Sequence, residues 1–229
     1  MLAQGLSGNK KPSSAFAVVA YSNILPTGGA GSEYATINMT TVSPAAKVGD
    51  FMLMFHSNND SGFAGGTIDG GPTGWTSDTY VWSSLGYTAD FAYKTLAATD
   101  ISATAMRFLA RSTYRVVWII VRSLVGKTLT GTLKHKQLTD GGTAATLTFN
   151  AYTKAATSKG HLMVVCDRDA TATWKPPAGT TLDYSYSDGT FANAFGTLAD
   201  PAKYASGTSI VWTTSGVTFG QTGVHFEIT

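Results

Sequence analysis

One order of short segments occurs twice in this chain. Gly49-Asp50-Phe51-Met52-Leu53-Met54 leads through Pro72-Thr73-Gly74-Trp75 to Tyr93-Lys94-Thr95-Leu96-Ala97-Ala98. The order returns as Gly160-His161-Leu162-Met163-Val164-Val165, then Pro177-Ala178-Gly179-Thr180, then Phe195-Gly196-Thr197-Leu198-Ala199-Asp200. Each half closes on an apolar run, Val116-Val117-Trp118-Ile119-Ile120-Val121 in the first and Val224-His225-Phe226-Glu227-Ile228 in the second. Short apolar runs separated by Gly, Pro, Asn and Ser clusters read as strands and turns. The pattern therefore predicts an all-β chain, a single antiparallel β-sandwich over residues 15–229 with pseudo-repeats at about 35–124 and 144–229. No Pro/Ser-rich linker parts the halves, so both are expected to share one core.

Residues 34–42 set Ala35, Ile37 and Met39 against Thr36, Asn38 and Thr40, the period of a half-buried strand. Residues 51–55 are apolar throughout and predict a central strand. Residues 101–111 fit a short helix by the spacing of Ile101, Ala105, Phe108 and Leu109, but the matching Thr208-Ser209-Ile210-Val211-Trp212-Thr213 has strand character. A strand is expected there, with a helical turn at 100–102 left open. Residues 128–133 and 144–149 read as a hairpin-like pair, with 134–142 as the loop between them. Residues 1–14, including Lys10, Lys11 and Pro12, form an extended arm: either a loose terminus or a docking arm that orders against a neighbouring subunit.

Charged residues make up only 13% of the chain, against roughly a quarter in ordinary globular domains. The low charge suggests a surface covered by neighbours or one that reads neutral ligands. A net charge of +2 is too small to hold phosphates, and Lys10-Lys11 and Lys134-His135-Lys136 read as solvated arm and loop, so no nucleic-acid partner is expected. No apolar run approaches the roughly 18 residues of a membrane span, and residues 1–5 carry no signal-peptide stretch. The single cysteine, Cys166, lies in an apolar strand as a buried thiol, which suits assembly in a reducing cytoplasm.

Chemistry-bearing residues are sparse. His56, His135, His161 and His225 are scattered without metal-ligand spacing, and the only glutamates are Glu33 and Glu227. Asp167-Arg168-Asp169 reads as a turn contact at a strand end. Asn58-Asn59-Asp60-Ser61-Gly62 lacks the spacing and bidentate Glu of a calcium loop. No Gly-x-Ser-x-Gly elbow occurs. No catalytic, metal or cofactor residue is assigned, and a non-enzymatic role is expected. Trp75, Trp82 and Trp174 remain as candidate glycan or interface aromatics, with core packing as the plainer reading.

The run Val48-Gly49-Asp50-Phe51-Met52-Leu53-Met54-Phe55, then Pro72-Thr73-Gly74-Trp75-Thr76, Phe91-Ala92-Tyr93-Lys94 and a Trp-bearing strand ending in Arg122, resembles a module of tailed-bacteriophage virion proteins. Such modules are jelly-roll or lectin-like sandwiches found in capsid decoration proteins, head fibres and tail fibres. The second half departs by placing Thr180 where the tryptophan stands and Phe195-Gly196 where Tyr-Lys stands. The resemblance implies a structural virion protein assembled in the host cytoplasm. Its partners would be other virion proteins (the major capsid protein or tail proteins) and further copies of itself. A tail-fibre component binding host surface glycans is the competing implication.

Overall fold

The repeated apolar segments are buried along their whole length. Phe51–Asn58 and Gly160–Asp167 have no exposed position, which a strand achieves only when both faces of its sheet are covered. The computed structural model describes residues 14–28, 33–58, 66–69, 71–82, 87–110, 115–142, 145–168, 171–187, 191–215 and 218–229. The first half forms β1 (Phe16–Ile24), β2 (Tyr34–Ile37), β3 (Phe51–Asn58), β4 (Ile68–Asp69), β5 (Thr76–Trp82), β6 (Tyr87–Thr95), the helical turn α1 (Ala98–Ile101), β7 (Met106–Leu109) and β8 (Val116–Ser123). The second forms β9 (Gly131–Gly142), β10 (Thr146–Phe149), β11 (Gly160–Asp167), β12 (Trp174–Lys175), β13 (Thr181–Ser187), β14 (Ala192–Leu198), β15 (Ile210–Thr214) and β16 (Thr218–Ile228).

The chain is all-β and its strand pairings are antiparallel. Two five-stranded sheets run β1-β8-β3-β6-β5 and β9-β16-β11-β14-β13, and two three-stranded sheets run β2-β7-β4 and β10-β15-β12. Adding eight to each strand number of the first half gives the second, so the strand order repeats throughout. By this order the repeating unit includes β1 and β9, which precede the expected starts at 35 and 144.

Alternate residues of the large sheets enter different cores. Phe51, Leu53 and Phe55 of β3 meet Leu162, Val164 and Cys166 of β11 in a central core shared by both halves. Met52 and Met54 turn the other way, with Trp118 and Ile120, onto Ile37, Met106 and Phe108 of the first small sheet. Met163 and Val165 likewise pack on Leu147, Phe149, Trp174 and Trp212. The layers thus run three-, five-, five- and three-stranded, and the expected single sandwich with one core has a central shared core and one further core per half.

The inner sheets meet with their edges crossed over. Tyr21 of β1 lies 5.1 Å from Tyr184 of β13 and 5.2 Å from Phe195 of β14, ring centre to ring centre. At the opposite margin Lys136 of β9 reaches Asp78 of β5 at 2.8 Å. Ala15 ties the halves near the start of β1: its amide donates to Ala199 O at 2.9 Å and its carbonyl accepts from the Leu124 amide at 3.1 Å.

Several local expectations change. Residues 134–142 are strand rather than loop, because β9 pairs with β16 along its length and β10 pairs with β15 instead. β9 is rich in Thr, Lys, His, Gln and Asp and so lacks the apolar alternation a sequence reading relies on. The stretch at 34–42 ends as strand at Ile37 and continues as a 3-10 turn, Met39–Thr41, capped by the Asn38 side chain. The helical turn near 100–102 is present as α1, followed by strand β7. Lys10, Lys11 and Pro12 lie outside the described residues.

Phe226 is fully buried, with ring centres of Tyr93, Phe91 and Phe51 at 4.7, 6.3 and 5.6 Å. Truncating it empties the contact between halves. Phe226→Ala is predicted to cost about 3–5 kcal/mol and, in a urea titration read by tryptophan fluorescence, to lower one shared transition. Two separated transitions would show that the halves fold independently.

Candidate functional site

Both halves carry a polar pair at the same register of their central strands. Pairing sets Phe51 opposite Val121, which brings Asp50 beside Arg122 at the start of β3. The corresponding position of the second half sets His161 opposite Glu227. A glycine in the left-handed region precedes each pair, Gly49 at φ 90° and Gly160 at φ 137°. At Gly160 a side chain would be placed 1.9 Å from Leu198 O, so no larger residue fits that turn.

In the first half the pair is a clip. Arg122 donates from Nε to Asp50 Oδ1 at 2.9 Å and from Nη2 to Oδ2 at 2.8 Å, a bidentate fork. Arg122 also donates to Ala45 O at 2.7 Å, and Asp50 Oδ2 accepts from the Lys47 amide at 2.8 Å. Every contact closes the turn before β3, so the role is structural.

The second half builds something different. Register sets His225 of β16 opposite both His135 of β9 and Met163 of β11, and alternation brings His161 to the same face. The result is a continuous row. His135 Nδ1 lies 3.1 Å from His225 Nδ1, His225 Nε2 lies 2.9 Å from His161 Nδ1, and the Tyr152 hydroxyl lies 2.9 Å from His161 Nδ1. His161 and His225 are fully buried and His135 is half-buried. Tyr204 packs edge-on to His161 at 4.7 Å and stacks on Tyr152 at 5.4 Å. Beside the row Lys134 Nζ sits 2.8 Å from Glu227 Oε2, and Glu227 Oε1 accepts from the Ala155 amide at 2.9 Å.

Burial governs the charge state. Desolvation pushes His161 down to about 4; Glu227 opposes the shift, while Lys154 and Lys134 add to it. His225 is held well below the ordinary imidazole value by desolvation and then by the other two rings. His135 is lowered by burial and by Lys134. Desolvation lifts Glu227, but bonds from Lys134, the Ala155 amide and Ser158 outweigh it, so the carboxylate stays ionised below its usual range. The three rings are therefore neutral at pH 7. Their nitrogens are directed at one another and not at a common centre, and among the described residues no group of three or more His, Cys, Asp or Glu is placed to hold a metal. The arrangement can take up protons.

A second buried network lies on β3 and β6. His56 Nδ1 is 3.3 Å from Asp90 Oδ2, which also accepts from Asn58 Nδ2 at 3.3 Å, all three residues fully buried. This fits the reading of His56 as a satisfied sheet histidine. Asp167 is buried and accepts from Gln221 Nε2 at 3.3 Å, while Asp169 lies outside the described residues. Cys166 is buried in the central core as expected.

The three candidate tryptophans part company. Trp174 is 2% exposed, packs edge-on to Trp212 and donates from Nε1 to Ala192 O at 3.1 Å, so it offers no face to a ligand. Of Trp82 the structure describes the backbone in β5 only. Trp75 is half-buried beside a recess of about 340 Å³ lined also by Thr67, Thr73 and Ser77, and its Nε1 has no partner among the described residues. The basic run Lys134-His135-Lys136 is strand, with Lys134 spent on Glu227 and Lys136 on Asp78. The histidine row escaped the sequence reading because its members lie far apart in the chain and only long-range register joins them. The one available signal was the repeat itself, which aligns His161 with Asp50.

No known protein family, curated protein or solved structure matches this chain.

His161 makes folding pH-dependent in a defined direction. Its folded-state value lies below that of the unfolded chain, so its contribution is complete above pH 6.5 and is lost as pH falls from there towards 4. A shift of that size corresponds to about 3 kcal/mol. Urea midpoints at pH 7.5 and 4 should show this loss, and His161→Gln should remove that increment; equal pH slopes in the two proteins would refute the assignment.

Proposed function

We propose that this protein is a structural component of a tailed-bacteriophage particle, a decoration or auxiliary protein that docks on the capsid and reinforces it without catalysis. The observation that carries the reading is the anchoring of residue 15. An arm at residues 1–14 would join the body at Ala15, which is bonded to Ala199 in one half and Leu124 in the other, so a load on it would reach both large sheets and the core between them. The same corner carries apolar surface. Leu124 and Val125 are 49% and 59% exposed, and Val48, at 61%, borders a recess that also includes Lys47, Gly126 and Lys127. Exposed aliphatic side chains beside an arm suit a contact face, each contributing roughly 25 cal/mol per Å² of apolar area covered. The implied partners are the major capsid protein and further copies of this chain, in the closed symmetry usual for such assemblies.

A second reading, a tail-fibre component binding a host glycan, is favoured by Trp75 alone, whose recess offers a ring and hydroxyls of the kind that contact sugars. Copy number separates the two, since hundreds per particle belong to a decoration protein and a small multiple of three or six to a tail.

Deleting residues 1–14 is predicted to leave the urea midpoint unchanged and to abolish binding to particles that lack this protein in a sedimentation assay. Leu124→Asp with Val125→Asp should weaken that binding at least about tenfold, equivalent to about 1.4 kcal/mol. Full binding by both variants would remove the proposal. For the second reading, Trp75→Ala should erase any glycan-array signal, and a signal unchanged by it would exclude that recess.

A further inference from the structure

We infer that the His135–His225–His161 row is an acid-operated latch, in which proton uptake releases the segment at residues 150–159 from the second half while the central core stays closed. The inference does not depend on the virion reading.

The segment is fastened over the row by contacts that converge on it. The Tyr152 hydroxyl meets His161, the Ala155 amide donates to Glu227, and Lys154 Nζ donates to Pro201 O and Tyr204 O at 2.6 and 3.1 Å. Gly207 donates its amide to Tyr152 O at 3.0 Å. The charged and titratable groups facing the row are Lys134 from β9, Glu227 from β16, Tyr152 and Lys154 from the segment, and Tyr204 beyond β14. Lys134 is already committed to Glu227, so no second carboxylate among them is free to receive an imidazolium.

Each neutral ring in the row shares a hydrogen with its neighbour. Charging His225 together with either neighbour sets like charges across a nitrogen contact of 2.9–3.1 Å, and even one charge meets Lys134 and Lys154. Water can solvate an imidazolium at His161 or His225, both fully buried, only if the covering segment lifts. Glu227 is held below the usual carboxylate range by its bonds from Lys134, the Ala155 amide and Ser158, so the carboxylate does not open the latch by neutralising. The core between the large sheets contains none of the three histidines and has no reason to open with them.

Hydrogen–deuterium exchange of the full chain at pH 7.5 and pH 5, corrected for intrinsic rates, tests this directly. If His161 alone takes its proton only in the open state, opening becomes about 30-fold more frequent at pH 5. The amides of Ala155 and Gly207 should accelerate by at least that factor, while those of Leu53, Ile119 and Val164 hold. His161→Gln should abolish most of the acceleration. Imidazole NMR of the unmodified chain guards against a variant that fails to fold. Rings that stay neutral at pH 5 in the closed state support the latch. Rings that titrate near pH 6.5 while Ala155 and Gly207 stay protected overturn it, as does equal acceleration of every amide.

Discussion

The contact between the two five-stranded sheets is the constraint on which the rest of the structure depends. The central strands β3 and β11 are buried on both faces because the partner sheet covers one and a small sheet covers the other. Only under that condition can β3 and β11 carry apolar side chains at successive positions. Rings from the first half surround Phe226 of the second. The halves are therefore modules by strand order and one body by packing.

The two halves share that scaffold and spend one position of it differently. Where β3 begins, Asp50 and Arg122 form a charge-assisted fork that closes a turn. Where β11 begins, His161 and Glu227 occupy the same register, and Glu227 turns to Lys134 while His161 turns to other rings. The fork holds the Arg122 guanidinium in its charged form, its affinity for the proton raised by the bonds to Asp50. A row of imidazoles held neutral by burial is different, because any ring that opening brings into water regains the ordinary affinity of an imidazole for a proton. Asymmetry between otherwise equivalent strands is what makes the second half the chemically responsive one.

Much of this architecture was legible in the sequence because it rests on local rules. Continuous apolar runs marked the inner strands, and Gly and Pro clusters marked the turns. One residue of the motif that suggested virion proteins proves to be a fastener: Lys94 donates to Thr73 O at 2.6 Å and to Asp100 Oδ1 at 2.9 Å, pinning the Pro-Thr-Gly-Trp turn to α1. The second half has Gly196 there, where a Cβ would fall 2.5 Å from Thr181 O, so close backbone approach replaces the tie. What stayed hidden depends on distant register. Nothing near Lys134 announces that β9 pairs with β16, and nothing near Trp174 tells a core indole from a surface one. Trp174 lies in β12, the counterpart of β4, and Trp75 lies in the turn before β5, a difference that only the fold reveals.

The layering also determines where such a molecule can change. A polar substitution along β3 or β11 has no wet side to turn towards, so the inner pair is closed to drift. The outermost strands β4 and β12 are two residues long and sit at the margins of the small sheets. Insertions beside them would disturb little of the interior. Diversity in what such a scaffold recognises would accumulate on its outer layers, while its middle remained fixed.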